Sequence, residues 1–227
     1  MNFIAIEGLD GAGKSTQVAL LQQHLQGLGV RCKYLHFPRI DAPIWGALIA
    51  KFLRGDLGKI GEVDPYLVAL LYAEDRRAAA KEIRGWMQEG YFVIVDRYVY
   101  SNVAFQCAKL PHAGERCALR EWILNLEYGH FEIPKPQRSF FLDVPFSFTQ
   151  EKLSGQRRGD DRRYLDGKED IHEADLDFQR AVRSVYLAQP ALDADFCVIK
   201  CYSELGEMLE PSCTFNKIIS NIQIPLP

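Results

Sequence analysis

The stretch Gly8-Leu-Asp-Gly-Ala-Gly-Lys-Ser15 matches the pattern G-x-x-x-x-G-K-[ST] at every fixed position. It follows a short apolar run at residues 3–6 and opens a segment, residues 15–28, whose apolar residues recur every three or four positions. Glycines are needed in such a loop because backbone N–H groups must turn inward around phosphate oxygens without obstruction by a Cβ. The stretch therefore predicts a phosphate-binding loop, or P-loop, between a strand and a helix.

Two side chains of the loop have predicted chemical tasks. The Lys14 ammonium supplies positive charge to the β- and γ-phosphates, and the Ser15 hydroxyl is offered to Mg²⁺. The helix N-terminus adds positive potential. A glycine-rich turn without a ligand is the alternative, but the spacing and the strand–helix context both favour nucleotide binding. The predicted nucleotide-binding residues are Gly8, Leu9, Asp10, Gly11, Ala12, Gly13, Lys14, Ser15 and Thr16.

The rest of the chain predicts an α/β fold. Further apolar runs of strand length alternate with segments of helical period, of which residues 65–88 form the longest and residues 172–189 another. Such alternation implies right-handed crossovers and a parallel sheet of about five strands with helices on both faces. Ligands of such sheets bind at the carboxyl ends of the strands. The other predicted strands are residues 32–37, 92–95, 139–144 and 196–199.

Composition narrows the class of protein. The 227 residues contain neither a linker nor a repeat, which predicts one domain over residues 1–227. A net charge of −3 gives no general electrostatic reason to bind nucleic acid or an anionic membrane. The sequence has no apolar run of about 18 residues, no basic leader and no paired cysteine spacing. We therefore expect a cytoplasmic protein with free thiols.

Charged residues follow two of the predicted strands. Arg39 ends the triplet Phe37-Pro-Arg39, and Asp96 and Arg97 come directly after the third strand. At the ligand edge of the sheet, the arginines are suited to phosphate and Asp96 to the Mg²⁺ shell. The alternatives are a surface arginine after a proline turn and a salt bridge that closes a strand end.

Two further groups of residues are candidates. Tyr72 and Arg76 are four apart in the predicted helix 65–88, so they share a face and could stack on a base and bind its edge. A half-buried core residue with a surface ion pair is the alternative. Residues 154–170 predict a flap, rich in Gly, Asp and Arg, that closes over the substrates. Its arginines would neutralise the transferring group, or else form a solvated charged face.

These motifs together resemble the thymidylate kinase family. In order they are GLDGAGKSTQ, FPR, LLYAEDR, VIVDRYVYSNVAFQCAK, IPKP, FLDVP and RRYLD, and they span nearly the whole chain. The DRY segment with its continuation, and LLYAEDR upstream, are the specific part. The resemblance implies a P-loop kinase fold, a homodimer, and Mg²⁺-dependent transfer of the γ-phosphoryl group of ATP to dTMP. The product is dTDP, an intermediate in dTTP synthesis.

The resemblance also implies roles for individual residues. Asp10 corresponds to the acidic residue that contacts the 3′-hydroxyl of the acceptor sugar. Tyr72 and Arg76 correspond to the residues that stack on thymine and address its edge. Arg39 and Arg97 would hold the acceptor phosphate, with Asp96 beside the metal. The acceptor pocket would also be lined by Phe37, Ser101, Phe105, Gln106 and Tyr164.

Departures from the family pattern affect the expected mechanism. Gly11 stands where one subgroup carries a basic residue, so the chain resembles the subgroup in which a flap arginine supplies that charge, here Arg157 or Arg158. Residues 110–128 are longer than usual and Gln137 replaces an acidic residue, which we expect to affect surface or dimer packing.

Other functions remain possible at this stage. The runner-up is a P-loop kinase that acts on another nucleoside monophosphate or on a deoxynucleoside, although a deoxynucleoside gives Arg39 and Arg97 no phosphate to hold. A GTPase switch should carry an N-K-x-D-like guanine reader, which the sequence lacks. A silent nucleotide-binding module would be expected to have lost Lys14 or Asp96.

Overall fold

The computed structural model describes residues 2–154, 165–168, 170–172 and 175–224. Within these ranges, five strands form one parallel sheet in the order β2-β3-β1-β4-β5. The predicted strands are thereby confirmed, with small shifts at their ends. Their bounds are β1 Phe3–Gly8, β2 Cys32–His36, β3 Phe92–Asp96, β4 Arg138–Asp143 and β5 Phe196–Lys200.

Eight α-helices connect and cover the strands in the described part of the chain. They are α1 Lys14–Gly27, α2 Trp45–Leu53, α3 Pro65–Gln88, α4 Val99–Cys107, α5 Ala113–Leu124, α6 Phe146–Ser154, α7 Leu176–Ala188 and α8 Pro211–Ile219. A π-helical turn, Asn125–His130, follows α5, and a 3₁₀ turn, Gln189–Ala191, follows α7.

Local capping explains where the two long predicted helices begin. The Asp64 carboxylate accepts hydrogen bonds from the N–H groups of Tyr66 and Leu67, and Pro65 occupies the first turn of α3, as the sequence predicts. Within the segment predicted as a helix over residues 172–189, α7 begins at Leu176, where the Asp175 carboxylate caps it.

The three central strands of the sheet, β1, β3 and β4, are buried on both faces. All six residues of β1 are buried, and they alternate between two apolar clusters. Phe3 and Ala5 belong to the cluster under α3, α4, α5 and α7, whereas Ile4 and Ile6 belong to the cluster under α1 and α8. Burial on both faces explains why the strands appear in the sequence as continuous apolar runs.

The strand order fixes the ligand edge. β3 lies between β1 and β2, with Ile6 of β1 in register with Asp96 of β3. The chain therefore leaves β1 into the P-loop beside the point at which β3 ends in Asp96 and Arg97. In the described residues, no helix is both long and apolar enough to cross a membrane.

The burial pattern generates a stability prediction. Leu21 of α1 is 1% exposed in the core, whereas Leu205, between β5 and α8, is 85% exposed. Leu21→Ala should lower the free energy of unfolding by about 2–5 kcal/mol, because it removes buried methyl groups and leaves a cavity. The matched Leu205→Ala should change it by less than about 0.5 kcal/mol. Urea denaturation measures both, and equal losses would contradict the packing described here.

Candidate active site

A cavity of about 1050 Å³ opens at the carboxyl edge of the sheet. Gly8 and Leu9 contact the cavity residue Lys14 through their carbonyl groups. Arg157, Arg158 and Tyr164 lie outside the described residues. The predicted site residues that line the cavity are Asp10, Gly11, Ala12, Gly13, Lys14, Ser15, Thr16, Phe37, Arg39, Tyr72, Arg76, Asp96, Arg97, Ser101, Phe105 and Gln106.

The P-loop wraps around the Lys14 side chain. Gly13 precedes α1 with φ +82°, a left-handed conformation that glycine adopts without strain. The Lys14 ammonium donates hydrogen bonds to the carbonyl oxygens of Leu9 at 3.0 Å and Gly8 at 3.3 Å. The loop thereby places a positive charge beside its own backbone N–H groups.

Asp96 faces this charge from the end of β3. Its Oδ2 lies 3.5 Å from His36 Nδ1, while its buried Oδ1 has no hydrogen-bond partner among the described residues. Burial alone would raise the pKa of Asp96, but the positive charge of Lys14 and the hydrogen bond from His36 hold that pKa below its usual value. Asp96 is therefore an ionised carboxylate with one oxygen available to a ligand.

Arg97 has a constrained backbone. Its φ of +64° lies in the left-handed region, which non-glycine residues adopt rarely. Its Nη2 donates to Asp10 Oδ1 at 2.8 Å and its Nη1 to Ser101 Oγ at 3.4 Å. The guanidinium carbon lies 5.2 Å from the centre of the Phe105 ring. Burial opposes the charge on Arg97, but the neighbouring Asp10 carboxylate keeps its pKa above the usual value.

Arg39 is held at the rim of the cavity by Asp75 of α3. Its Nε and its backbone N–H each donate to the Asp75 carboxylate at 2.9 Å, and its Nη2 donates to the Asp75 carbonyl oxygen at 2.7 Å. Gly46 of α2 reinforces this position, since a Cβ there would lie 2.3 Å from the Arg39 carbonyl oxygen. The absence of a side chain at Gly46 thus allows α2 to cover the turn.

Arg76 forms a buried ion pair in place of the surface pair considered in the sequence. Its Nε and Nη2 donate to the Glu127 carboxylate at 2.5 and 2.7 Å, and both residues are at most 2% exposed. Asn102 Nδ2 donates to the same carboxylate at 3.0 Å. Glu127 lies in the π-helical turn, so the unusual segment 110–128 supports the cavity as well as forming surface. No sequence motif pointed to this carboxylate.

His172 and Asn102 line the cavity as well, and the sequence analysis assigned no role to either. The His172 ring lies between 5.1 and 5.4 Å from the rings of Phe52, Phe105 and Phe178, measured between centroids. Burial, then the nearby Lys109 charge, hold the pKa of His172 well below its usual value, so the imidazole is neutral. Asn102 follows the predicted pocket residue Ser101 directly, so the sequence contains a signal for it. His172 was only the first residue of a predicted helix, and nothing in the sequence indicated a place in the site.

Several buried polar atoms face this region without partners. His172 Nε2 and both side-chain amide atoms of Gln106 make no hydrogen bond within the part of the chain that is described. Buried polar groups of folded proteins almost always have partners, so these atoms are available to bound water or to a ligand. Gln106 and His172 line the same cavity as Tyr72, Arg76 and Arg97.

Comparisons with known proteins agree with this geometry. A family model described as thymidylate kinase matches residues 6–210. A thymidylate kinase from Mycobacterium tuberculosis is 34% identical over 185 residues, which cover 81% of this chain and 83% of that protein. A probable thymidylate kinase from Pyrobaculum aerophilum is 36% identical over 218 residues, which cover 92% and 97%.

A solved structure shows the same fold. The thymidylate kinase of Candida albicans superimposes with a TM-score of 0.73 at 24% sequence identity, covering 97% of this chain and 90% of that chain. The family model spans most of the chain, and two relatives above 30% identity extend over more than four-fifths of it. On these grounds, the chain belongs to the thymidylate kinase family.

Proposed function

We propose that this protein transfers the γ-phosphoryl group of ATP to dTMP and that the described cavity carries the reaction. The observation that supports it most is the meeting of the P-loop with Arg39 and Arg97, which come from the ends of two other strands. Phosphoryl transfer requires a donor phosphate and an acceptor phosphate held side by side, and the protein contributes chiefly position and charge.

The donor side is the P-loop. Its backbone N–H groups and the α1 N-terminus bind the ATP phosphates, and Lys14 stabilises negative charge that grows on the transferring group. Lys14 is 8% exposed, so its charge acts in a partly desolvated place where electrostatic interactions are stronger than in water.

The residues around the P-loop also fit Mg²⁺. The Ser15 hydroxyl and the unpartnered Oδ1 of Asp96 are hard oxygen ligands of the kind that Mg²⁺ prefers, and both residues line the cavity. When bound, Mg²⁺ neutralises charge on the β- and γ-phosphates. Asp96 contributes by staying ionised at neutral pH, in accordance with its lowered pKa.

The acceptor side lies beyond Arg97. Arg39 and Arg97 bind the dTMP phosphate, Asp10 contacts the sugar, and Tyr72 and Arg76 contact the base. Glu127 occupies Nε and Nη2 of Arg76 and thereby fixes the plane of its guanidinium. The unpartnered atoms of Gln106 and His172 line the same pocket and take their partners from the acceptor nucleotide. Phe37, Ser101 and Phe105 complete its wall, with Tyr164 as a further contact.

Three further features complete the proposal. Arg157 or Arg158 acts as an arginine finger in a flap over residues 154–170, because Gly11 leaves the P-loop without a basic side chain at that position. Two copies of the chain form a homodimer, and the enzyme works in the cytoplasm. The family resemblance in the sequence supports these features.

A panel of acceptors tests the substrate. ADP release, coupled to a second enzyme, should be fast with dTMP and slower with dUMP, dGMP, CMP and thymidine. A missing C5 methyl group changes burial by about 1 kcal/mol, so dUMP is expected to be the best of the poor substrates. If another nucleoside monophosphate is turned over faster than dTMP, that nucleotide is the acceptor and dTMP is not.

Lys14→Ala tests the donor side. Turnover should fall about 10²-fold or more, on the scale of losing one preorganised charge at a transition state. Lys81→Ala, an exposed lysine on α3, is the matched control and should keep its turnover. Near-normal turnover of the Lys14 variant, measured by steady-state kinetics, would contradict the role of the P-loop.

Arg76 requires a paired design because Glu127 is buried with it. Arg76→Ala alone leaves that carboxylate unpaired at a cost of about 3–5 kcal/mol, so lower activity could reflect unfolding. In the double variant Arg76→Met/Glu127→Gln, the amide still accepts from Asn102 and no charge remains unpaired. This variant should fold, keep its affinity for ATP and bind dTMP weakly in calorimetry. Unchanged dTMP affinity would remove Arg76 from the acceptor site.

The flap proposal is tested by single-turnover transfer. Arg157, Arg158, Arg162 and Arg163 are each changed to alanine. Arg157→Ala or Arg158→Ala should lose about 10³-fold in rate with nucleotide affinity nearly unchanged, as expected for an arginine finger. Arg162→Ala and Arg163→Ala are the matched controls, because they remove the same side chain from neighbouring positions. Full rates in all four would assign the missing charge to Arg39 or Arg97.

A further inference from the structure

Glu7 is a buried carboxylate to which the proposed reaction gives no task. It precedes Gly8, the first residue of the P-loop, at the end of β1, and it is 0% exposed. Burying a carboxylate is costly unless hydrogen bonds or opposite charges compensate it. The partners of Glu7 therefore indicate why a carboxylate is present there.

The carboxylate of Glu7 joins three groups. Its Oε1 accepts from the backbone N–H of Tyr98 at 3.0 Å, and its Oε2 accepts from the hydroxyls of Ser101 at 2.5 Å and Tyr186 at 3.1 Å. Burial raises the pKa of Glu7, and the Ser101 hydroxyl and the Arg97 charge oppose that rise. Two of these partners, Tyr98 and Ser101, flank or contact Arg97.

The backbone of Arg97 is anchored to β1 on both sides. Its own N–H donates to the Ile6 carbonyl oxygen at 2.8 Å, and the next N–H in the chain, that of Tyr98, donates to Glu7. Between these two anchors, the chain adopts φ +64°. A non-glycine residue keeps such a conformation only when its surroundings enforce it. Glu7 supplies one of the two enforcing hydrogen bonds.

The side chain of Arg97 is connected to Glu7 as well. Arg97 Nη1 donates to Ser101 Oγ at 3.4 Å, and the Ser101 hydroxyl donates onward to Glu7. The orientation of Ser101 toward the guanidinium is therefore set by Glu7, because a hydroxyl that donates to the carboxylate presents its lone pairs to Arg97. The same carboxylate controls the backbone of Arg97 and one partner of its guanidinium.

We propose that Glu7 is the positioning residue of Arg97: it holds the arginine in its left-handed backbone conformation and aims the guanidinium at the acceptor phosphate. This inference rests on the proposed function, in which Arg97 binds that phosphate. Glu7 itself does not touch substrate. It acts on transfer through the geometry of one arginine.

A double-mutant cycle with Arg97 tests this inference. Glu7→Gln retains an acceptor for the Tyr98 N–H but offers donors to the Ser101 and Tyr186 hydroxyls. It should lower kcat about tenfold and raise KM for dTMP, with KM for ATP unchanged, since misplacement of a binding group impairs transfer. In an Arg97→Ala background, Glu7→Gln should have little further effect, because residues that act as a unit are not additive.

Two controls separate positioning from stability. Asp143→Asn changes a carboxylate that is 3% exposed at the end of β4 and accepts from Arg183 and Tyr202. It should lower Tm without changing the effect of Arg97→Ala on kcat. If Glu7→Gln does not fold, Ser101→Ala breaks the same connection with a smaller change, and it too should be non-additive with Arg97→Ala.

The outcomes distinguish the inference from the function on which it rests. If Arg97→Ala impairs transfer, and Glu7→Gln lowers kcat by the same factor in that variant as in the wild-type protein, Glu7 acts independently of Arg97 and the inference is wrong. Unchanged kinetics of folded Glu7→Gln would also overturn it. Normal kinetics of Arg97→Ala would overturn the role of Arg97 in the proposed function, and the inference with it.

Discussion

The compensation of buried charge is the constraint on which this cavity depends. Among the described residues, three arginines lie in it or at its rim, and each one is paired with a carboxylate: Arg39 with Asp75, Arg76 with Glu127 and Arg97 with Asp10. In the buried pair of Arg76 and Glu127, an unpaired guanidinium or carboxylate would be strongly unfavourable, whereas Arg39 and Asp10 are partly exposed and their pairs tolerate the loss of one member better. The carboxylates come from α3, the π-helical turn and the P-loop, and the charge balance of the site therefore requires these three elements to be in place together.

In the proposed function, this pairing also prepares the arginines to bind phosphate. A guanidinium that is held by a carboxylate has a fixed plane and little remaining rotamer freedom, so less entropy is lost when it binds an anion. Dipoles and charges that are oriented before the substrate arrives stabilise a developing charge without reorganisation. The same hydrogen bonds within the site thus stabilise the fold and orient the groups that the proposed chemistry needs.

The sequence predicts the parts of the fold and site that depend on neighbouring residues. The P-loop, the five strands and α3 were all readable, because their signals lie within a few positions of each other. The short helix α4 was not, because all nine of its residues are buried and no solvent-exposed face creates a clear helical period. Glu127 pairs with Arg76 across 51 positions and Glu7 reaches Ser101 across 94, so nothing local in the sequence announces either contact. His172 is recognisable only after the fold brings it to Phe52 and Phe105.

The buried pair of Arg76 and Glu127 has a consequence for inhibition. An inhibitor built on the nucleobase and anchored by Arg76 would depend on a carboxylate that it does not contact, because Glu127 fixes the guanidinium through Nε and Nη2. A change in the π-helical turn could then weaken the inhibitor while every residue in its own contact surface stays the same. Drug resistance could thus arise at position 127. A compound that binds the P-loop backbone instead would keep its affinity after such a change.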